Sequence, residues 1–104
     1  MNLLKLGEGI DRPWVQKIVG EIDDQVARVV RYYGEYPVHR HDGDQFVLVL
    51  DGEIDIEEEG ERIHLEKMDF HIIKSGRWHR PIAHTNSLVL VIWKGEIKTE
   101  LKEE

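Results

Sequence analysis

Residues 34–52 read GEYPVHRHDGDQFVLVLDG and contain the most informative pattern of the sequence. The stretch carries two histidines two positions apart, His39 and His41, and then an unbroken apolar run over 46–50 that ends in an Asp-Gly pair. Apolar, β-branched segments bounded by glycine-containing turns are typical of short β-strands. Successive side chains on a strand leave on opposite faces, so both histidines are expected on the same face.

Short segments of the same kind recur along the rest of the chain. They cover residues 14–22, 25–33, 53–58, 62–66, 70–73 and 88–93. Glu59-Gly60, between two cleanly alternating segments, is typical of a tight hairpin turn. No segment combines helical spacing of apolar residues with capping signals. Roughly seven to nine short strands predict an all-β sandwich or barrel of antiparallel strands.

Length and composition restrict the class of protein. The 104 residues suit a single domain over 1–104, and the absence of cysteine excludes disulfides and thiolate ligands. The net charge of −7 argues against nucleic-acid or anionic-membrane partners. The acidic cluster at 57–61 is expected to be a solvated hairpin tip. The charged fraction of 34%, with few Asn, Gln and Met residues, is typical of thermophilic proteins.

The ends of the chain and its apolar runs predict location and assembly. No apolar run approaches the roughly 20 residues of a membrane helix, and the first residues lack a signal-peptide pattern, so we expect a cytoplasmic protein. Residues 96–104 predict an edge strand or a frayed tail, because Ile97, Thr99 and Leu101 alternate with charged residues. Segments 46–50 and 88–93 are apolar on both faces, which predicts a homodimer that covers the outer face.

The histidines offer a metal site. Gln45 shares the strand parity of His39 and His41, and His79 follows a Ser-Gly turn far along the chain. Neutral imidazoles are ligands for divalent Mn, Fe, Co, Ni, Cu or Zn. We therefore predict one such ion at His39, His41 and His79, with Gln45 as a weak fourth ligand or a contact through water. The alternative is that these histidines are ordinary polar surface residues.

The remaining candidates carry weaker signals. His64 lies between two inward-facing residues and is expected to meet solvent, His71 is expected to be a structural histidine, and His84 lies in a polar stretch that predicts a loop. Arg77 and Arg80 flank the second histidine motif. They are expected to pack at the rim, with contact to an anionic substrate as the alternative.

The two histidine-containing stretches resemble the two motifs of the cupin superfamily. Residues 34–52 follow the first motif, which runs Gly, short spacer, His-x-His, a residue that is usually Glu, and a final Gly. IKSGRWH at 73–79, within a second motif of about 69–83, resembles the usual Pro-x-Gly-x-x-His. The predicted hairpin over 53–66 joins them, as in small single-domain cupins. The resemblance implies a cupin jelly-roll β-barrel with His39, His41, Gln45 and His79 at the mouth of a pocket.

Gln45 and Lys74 depart from the family pattern, since they stand where Glu and Pro are usual. Three imidazoles and an amide leave the full charge of a dication in place, which favours an anionic small-molecule ligand. The exchange also removes a carboxylate that could act as a base.

The resemblance leaves two functions open, because the cupin fold carries several unrelated activities. One is a metal-dependent enzyme, dioxygenase- or isomerase-like, acting on a small polar or aromatic molecule. The alternative is a non-catalytic module that binds metal or a small ligand such as a sugar, or that acts as a sensor.

Overall fold

Residues 1–96 and 98–102, which the computed structural model describes, form nine β-strands and one short helix. The elements are α1 (Leu3–Glu8), β1 (Gln16–Ile22), β2 (Gln25–Glu35), β3 (His39–His41), β4 (Gln45–Asp51), β5 (Ile54–Glu58), β6 (Glu61–Leu65), β7 (Phe70–Ile73), β8 (His79–Lys94) and β9 (Thr99–Leu101). The strand pairs are antiparallel, so the all-β prediction is confirmed. Ile97 lies outside the described residues. The single described helix is six residues long, too short to cross a membrane.

Strand β8 organises the sheet because its 16 residues serve two sets of neighbours. Its second half pairs with β4 and with most of β2, while β7 and β1 extend that side of the sheet. Its first half pairs with β5 and β3, and β6 and β9 lie beyond them. The sheet curls so that the two halves face each other, which is the architecture of a jelly roll.

Alternate residues of the strands form the core between the two halves. Val47 of β4, Ile56 of β5 and Val91 of β8 are almost completely buried in one apolar cluster. Each such side chain contributes roughly 1.5–3 kcal/mol of hydrophobic stabilisation. Alternate residues therefore face the core, as the alternating pattern of residues 53–58 predicted.

The segment that contains helix α1 covers part of the outer face of both strands that are apolar on both faces. It packs on the outer face of the β4–β8 half, where Ile10, Leu50 and Leu88 form a second buried cluster. The sequence prediction of no helix is therefore wrong: six residues are too few to show a helical stripe, and the side chain of Asn2 caps the helix by accepting from the N–H of Lys5. The cover that we assigned to a second subunit is partly supplied by the chain itself.

Two turns have the geometry that their residues favour. Glu59 and Gly60 both have positive φ, at 47° and 85°, as a tight hairpin requires. Gly52, the last glycine of the first motif, has φ 88°, and an added Cβ would overlap Ser87. Ser87 Oγ bridges the backbone of Glu53, accepting from its N–H at 3.1 Å and donating to its carbonyl at 3.0 Å.

Candidate metal centre

Strand pairing brings the three predicted histidines together. His39 and His41 are the ends of β3, and His79 is the first residue of β8, directly opposite His39 in the register. Ring centroids lie 4.4 Å apart for His39 and His79, 4.8 Å for His39 and His41, and 5.3 Å for His41 and His79. One ring nitrogen of each lies within 4.8 Å of the others, a spacing compatible with one shared ion.

Each of the three imidazoles is engaged at Nδ1 by an oxygen atom. The distances are 2.7 Å from His39 to the Pro37 carbonyl, 2.9 Å from His41 to Thr99 Oγ1, and 3.0 Å from His79 to the Arg77 carbonyl. A carbonyl accepts only from a protonated nitrogen, so His39 and His79 carry their hydrogen on Nδ1. Their Nε2 lone pairs are therefore free, which is the usual arrangement of metal-binding histidines.

Burial keeps these imidazoles neutral. It is the largest cause that lowers the pKa of His41 and of His79 to about 4, and neighbouring histidines lower both further. Burial also lowers the pKa of His39, although its bond to Pro37 acts in the opposite direction. Neutral imidazole is the form that binds metals, so the three histidines can bind an ion without first losing protons.

Gln45 supplies a further indication of a ligand. It is 5% exposed at the start of β4, and its Oε1 is buried without a hydrogen-bond partner among the described residues. Leaving such an atom unpaired costs roughly 1–3 kcal/mol. Gln45 lines the same pocket as the three histidines, while the adjacent Asp44 accepts from the backbone of Ser75 and from Lys74. Three imidazole nitrogens and an amide oxygen are suitable ligands for a divalent transition metal ion.

Aromatic side chains form the wall beside the histidines. The pocket has a volume of about 150 Å³. Trp14 lies 4.8 Å from Tyr32 and 4.9 Å from Tyr36 between ring centroids, and Trp93 stacks on His41 at 6.0 Å. Among the described residues that line it, none is Asp, Glu, Lys or Arg. Trp14 adopts φ 66°, a left-handed conformation that is rare for a bulky residue, and sequence patterns did not single it out.

The arginines flanking the second motif pair with glutamates. Arg77 Nε donates to Glu58 at 2.7 Å, and Arg80 donates to Glu57 at 2.9 Å. Glu58 also pairs with His71 Nε2 at 2.9 Å and is buried, which corrects the expectation of a fully solvated acidic hairpin tip. Burial alone would raise the pKa of Glu58, but its bonds to His71 and Arg77 outweigh that and lower it.

The other two histidines lie away from the pocket. His64 is exposed, as expected, and Asp55 accepts from its ring at 2.6 Å, which raises the pKa of His64. Glu53 and Glu66 lie beside it and make a second group of potential ligands, fully on the surface. His84 is exposed within β8, so the loop predicted there is wrong: residues 84–86 are consecutive exposed positions where the register between β2 and β8 shifts, and they show no alternation.

Solved structures that resemble this chain over most of its length include the following three. A cupin-2 domain containing protein from Shewanella frigidimarina NCIMB 400 matches with a TM-score of 0.87 and 23% identity, over 90% of this chain and 93% of that one. The hydroquinone 1,2-dioxygenase PnpCD, solved with Cd²⁺ and 4-hydroxybenzonitrile, matches with a TM-score of 0.78 and 17% identity, over 91% and 72%. The DMSP lyase DddQ from Ruegeria pomeroyi DSS-3 matches with a TM-score of 0.74 and 27% identity, over 86% and 51%.

Sequence comparison adds the family. No protein among those with curated functions matches this chain. The profile of the cupin domain, Cupin_2, matches residues 29–95, which include both histidine motifs and the hairpin between them. Because this match covers more than half of the chain, and because the fold agrees with it, the chain belongs to the cupin domain family.

Proposed function

We propose that this chain binds one divalent transition metal ion through His39, His41 and His79. Gln45 serves as a weak fourth ligand or contacts the ion through water. The observation that carries the proposal is the meeting of three neutral imidazoles, each engaged at Nδ1, beside the unpartnered Oε1 of Gln45. Manganese, iron, cobalt, nickel, copper and zinc all suit such ligands.

We propose further that the site is that of a metal-dependent enzyme, dioxygenase- or isomerase-like, acting on a small polar or aromatic molecule. A volume of about 150 Å³ suits a molecule the size of benzene. Trp14 and Tyr36 line the pocket and supply aromatic surface for such a molecule to pack against. A bound dication would supply the positive charge that polarises an oxygen-bearing ligand and attracts an anionic one. The structural likeness to a hydroquinone 1,2-dioxygenase supports the same direction.

The alternative is a non-catalytic binding or sensor module for a metal and a small ligand. One observation favours it: among the described residues that line the pocket there is no carboxylate or lysine to act as a general base. The two functions differ in turnover. Metal-loaded enzyme would consume a small phenol or hydroxy acid repeatedly, whereas a binding module would take it up once per chain without converting it.

Elemental analysis of protein purified without chelators tests metal binding. We expect about one transition metal ion per wild-type chain and near-complete loss in His41→Ala. His64→Ala is the matched control, because it removes an exposed histidine that also lies in a potential ligand group. Equal metal in wild type and His41→Ala, or loss in His64→Ala alone, contradicts the proposal.

A further inference from the structure

One imidazole of the site differs from the other two in what holds it. Backbone carbonyls accept from His39 and His79, whereas the Nδ1 partner of His41 is the side chain of Thr99, at 2.9 Å. Thr99 also lines the pocket and lies beyond residues 29–95, which the family profile matches. It is the one partner among these three that a side-chain substitution can remove.

Contacts that do not involve its hydroxyl hold Thr99 in place. It belongs to β9, which pairs with β3 so that Thr99 lies opposite His41 and Glu100 opposite Arg40. Arg40 forms an ion pair with Glu100 at 2.8 Å. The N–H of Lys98 donates to the Asp42 carboxylate at 2.8 Å. The backbone of β9 is therefore fixed independently of the bond between the hydroxyl and His41.

One face of the His41 ring is restrained by an aromatic side chain. Trp93 lies nearly parallel to it, with ring centroids 6.0 Å apart and an interplanar angle of 16°. The guanidinium of Arg28 lies over Trp93, 4.4 Å from its centroid. Stacking limits the tilt of the His41 ring, but it does not choose which ring nitrogen carries the hydrogen. Only a hydrogen bond in the ring plane makes that choice.

We propose that Thr99 is a positioning residue of the metal centre. Its Oγ1 accepts the Nδ1–H of His41, so that Nε2 of His41 keeps its lone pair and faces the other two imidazoles. The metal part of this inference rests on the proposed function, whereas the tautomer of His41 is a property of the metal-free chain. Groups that orient a ligating histidine typically contribute 10–100-fold to metal affinity.

Zn²⁺ affinity, measured by competition with a chromophoric chelator, tests the role of the hydroxyl. Thr99→Val keeps the shape and removes the acceptor, and it should weaken Zn²⁺ binding about tenfold, the lower end of that range because Thr99 is exposed. Thr99→Ser restores the hydroxyl and should bind within about threefold of wild type. Lys98→Gln is the matched control beside Thr99: it changes an exposed side chain, keeps the backbone N–H that donates to Asp42, and should leave Zn²⁺ affinity unchanged.

The tautomer of His41 provides a readout without metal. Long-range ¹H–¹⁵N correlation spectra of the chelated protein at pH 7.5 should show wild-type His41 protonated at Nδ1. Thr99→Val should move hydrogen to Nε2, and Thr99→Ser should not. An unchanged tautomer and affinity in Thr99→Val overturns the inference, as does an equal loss of affinity in Thr99→Val and Lys98→Gln. If wild type binds no Zn²⁺ but its tautomer responds as stated, the proposed metal function fails while the positioning of His41 by Thr99 stands.

Discussion

Gln45 is a buried side chain whose Oε1 has no hydrogen-bond partner among the described residues. Gln45→Glu would place an anionic oxygen where a neutral one lies, so it should tighten Zn²⁺ binding by tenfold or more. Without metal, the same substitution buries an unpaired carboxylate and should lower the free energy of unfolding by roughly 1–3 kcal/mol. Chelator competition and urea unfolding measure the two effects.

Gln45→Leu is the matched control for this substitution. It fills the same space with no polar atom, so the metal-free protein should be at least as stable as wild type. Unchanged Zn²⁺ affinity in Gln45→Glu would mean that residue 45 lies away from the ion and contacts the ligand instead.

The lowered pKa values of His41 and His79 predict how stability depends on pH. Unfolded histidines titrate near 6.5, whereas both are lowered to about 4 in the fold. Between these values the unfolded chain binds more protons, so the free energy of unfolding falls as pH falls. The slope is up to about 1.4 kcal/mol per pH unit for each imidazole. Urea unfolding of chelated protein at pH 7, 6 and 5 measures it.

His64 changes the free energy of unfolding with pH in the opposite direction, so this measurement is best made in a variant that lacks it. Asp55 raises its pKa, so its contribution is present at low pH and is lost as pH rises through the raised value. In a His64→Ala background the decline from pH 7 to pH 5 should be steeper than in wild type. Constant stability over that interval would show that the cluster is protonated in the folded chain.

Among the elements, α1 decides how the outer face is covered. A Cβ at Gly7 would overlap the buried Leu88 side chain, whereas a Cβ at Gly9 meets only the Leu6 carbonyl, at 3.7 Å. Alanine favours helices over glycine by about 1 kcal/mol, so helix propensity alone would make Gly7→Ala stabilising. Overpacking at Leu88 should reverse the sign, by roughly 1–3 kcal/mol.

Thermal or urea unfolding of the two variants checks the position of the helix. Gly7→Ala should be less stable than wild type, and Gly9→Ala should lie within about 0.5 kcal/mol of it. A stabilised Gly7→Ala would mean that α1 does not pack on Leu88 in solution.

Local patterns predicted most of the strands, including residues 46–50 and 88–93, which are apolar on both faces and lie in β4 and β8. Residues 53–66 alternate cleanly, and the structure has β5 and β6 there with the expected turn. The first half of β8 escaped prediction because Thr85 and Asn86 are polar residues on an exposed stretch of a long bent strand. α1 escaped because its role is defined by Leu88, far away in the chain.

The sequence predicted the three histidines of the candidate site, but it did not predict the side chains that line the pocket beside them. His39, His41 and His79 follow from motif spacing, which sets where β3 and β8 pair. Trp14 lies in the turn before β1 and Thr99 in β9, both outside the two motifs, and only the curl of the sheet and the pairing of β9 bring them to the pocket. No local pattern encodes that proximity.

At the scale of the whole molecule, one chain has an exposed apolar patch on its surface. Phe70 and Ile72 of β7 are 61% and 47% exposed, and Phe46 stacks on Phe70 beside them. Exposed apolar patches of this kind are typical of subunit interfaces. We predict a homodimer formed through this surface, with a mass by light scattering of twice the 12.2 kDa of one chain at micromolar concentration.

Phe70→Glu should convert that dimer to a monomer. Ile18→Glu is the control, because Ile18 is 62% exposed on β1 and the substitution adds the same charge elsewhere. A wild-type mass near 12.2 kDa, or dissociation by Ile18→Glu and not by Phe70→Glu, would contradict the assignment.

Anomalous diffraction from crystals grown with Co²⁺ and without chelator tests whether the three imidazoles form a metal centre. The site predicts one strong peak per chain, bonded to Nε2 of His39, His41 and His79 at about 2.0–2.2 Å, the range for imidazole bound to a divalent metal. A peak only at the surface group of Glu53, His64 and Glu66, or no peak in a well-ordered pocket, would contradict it.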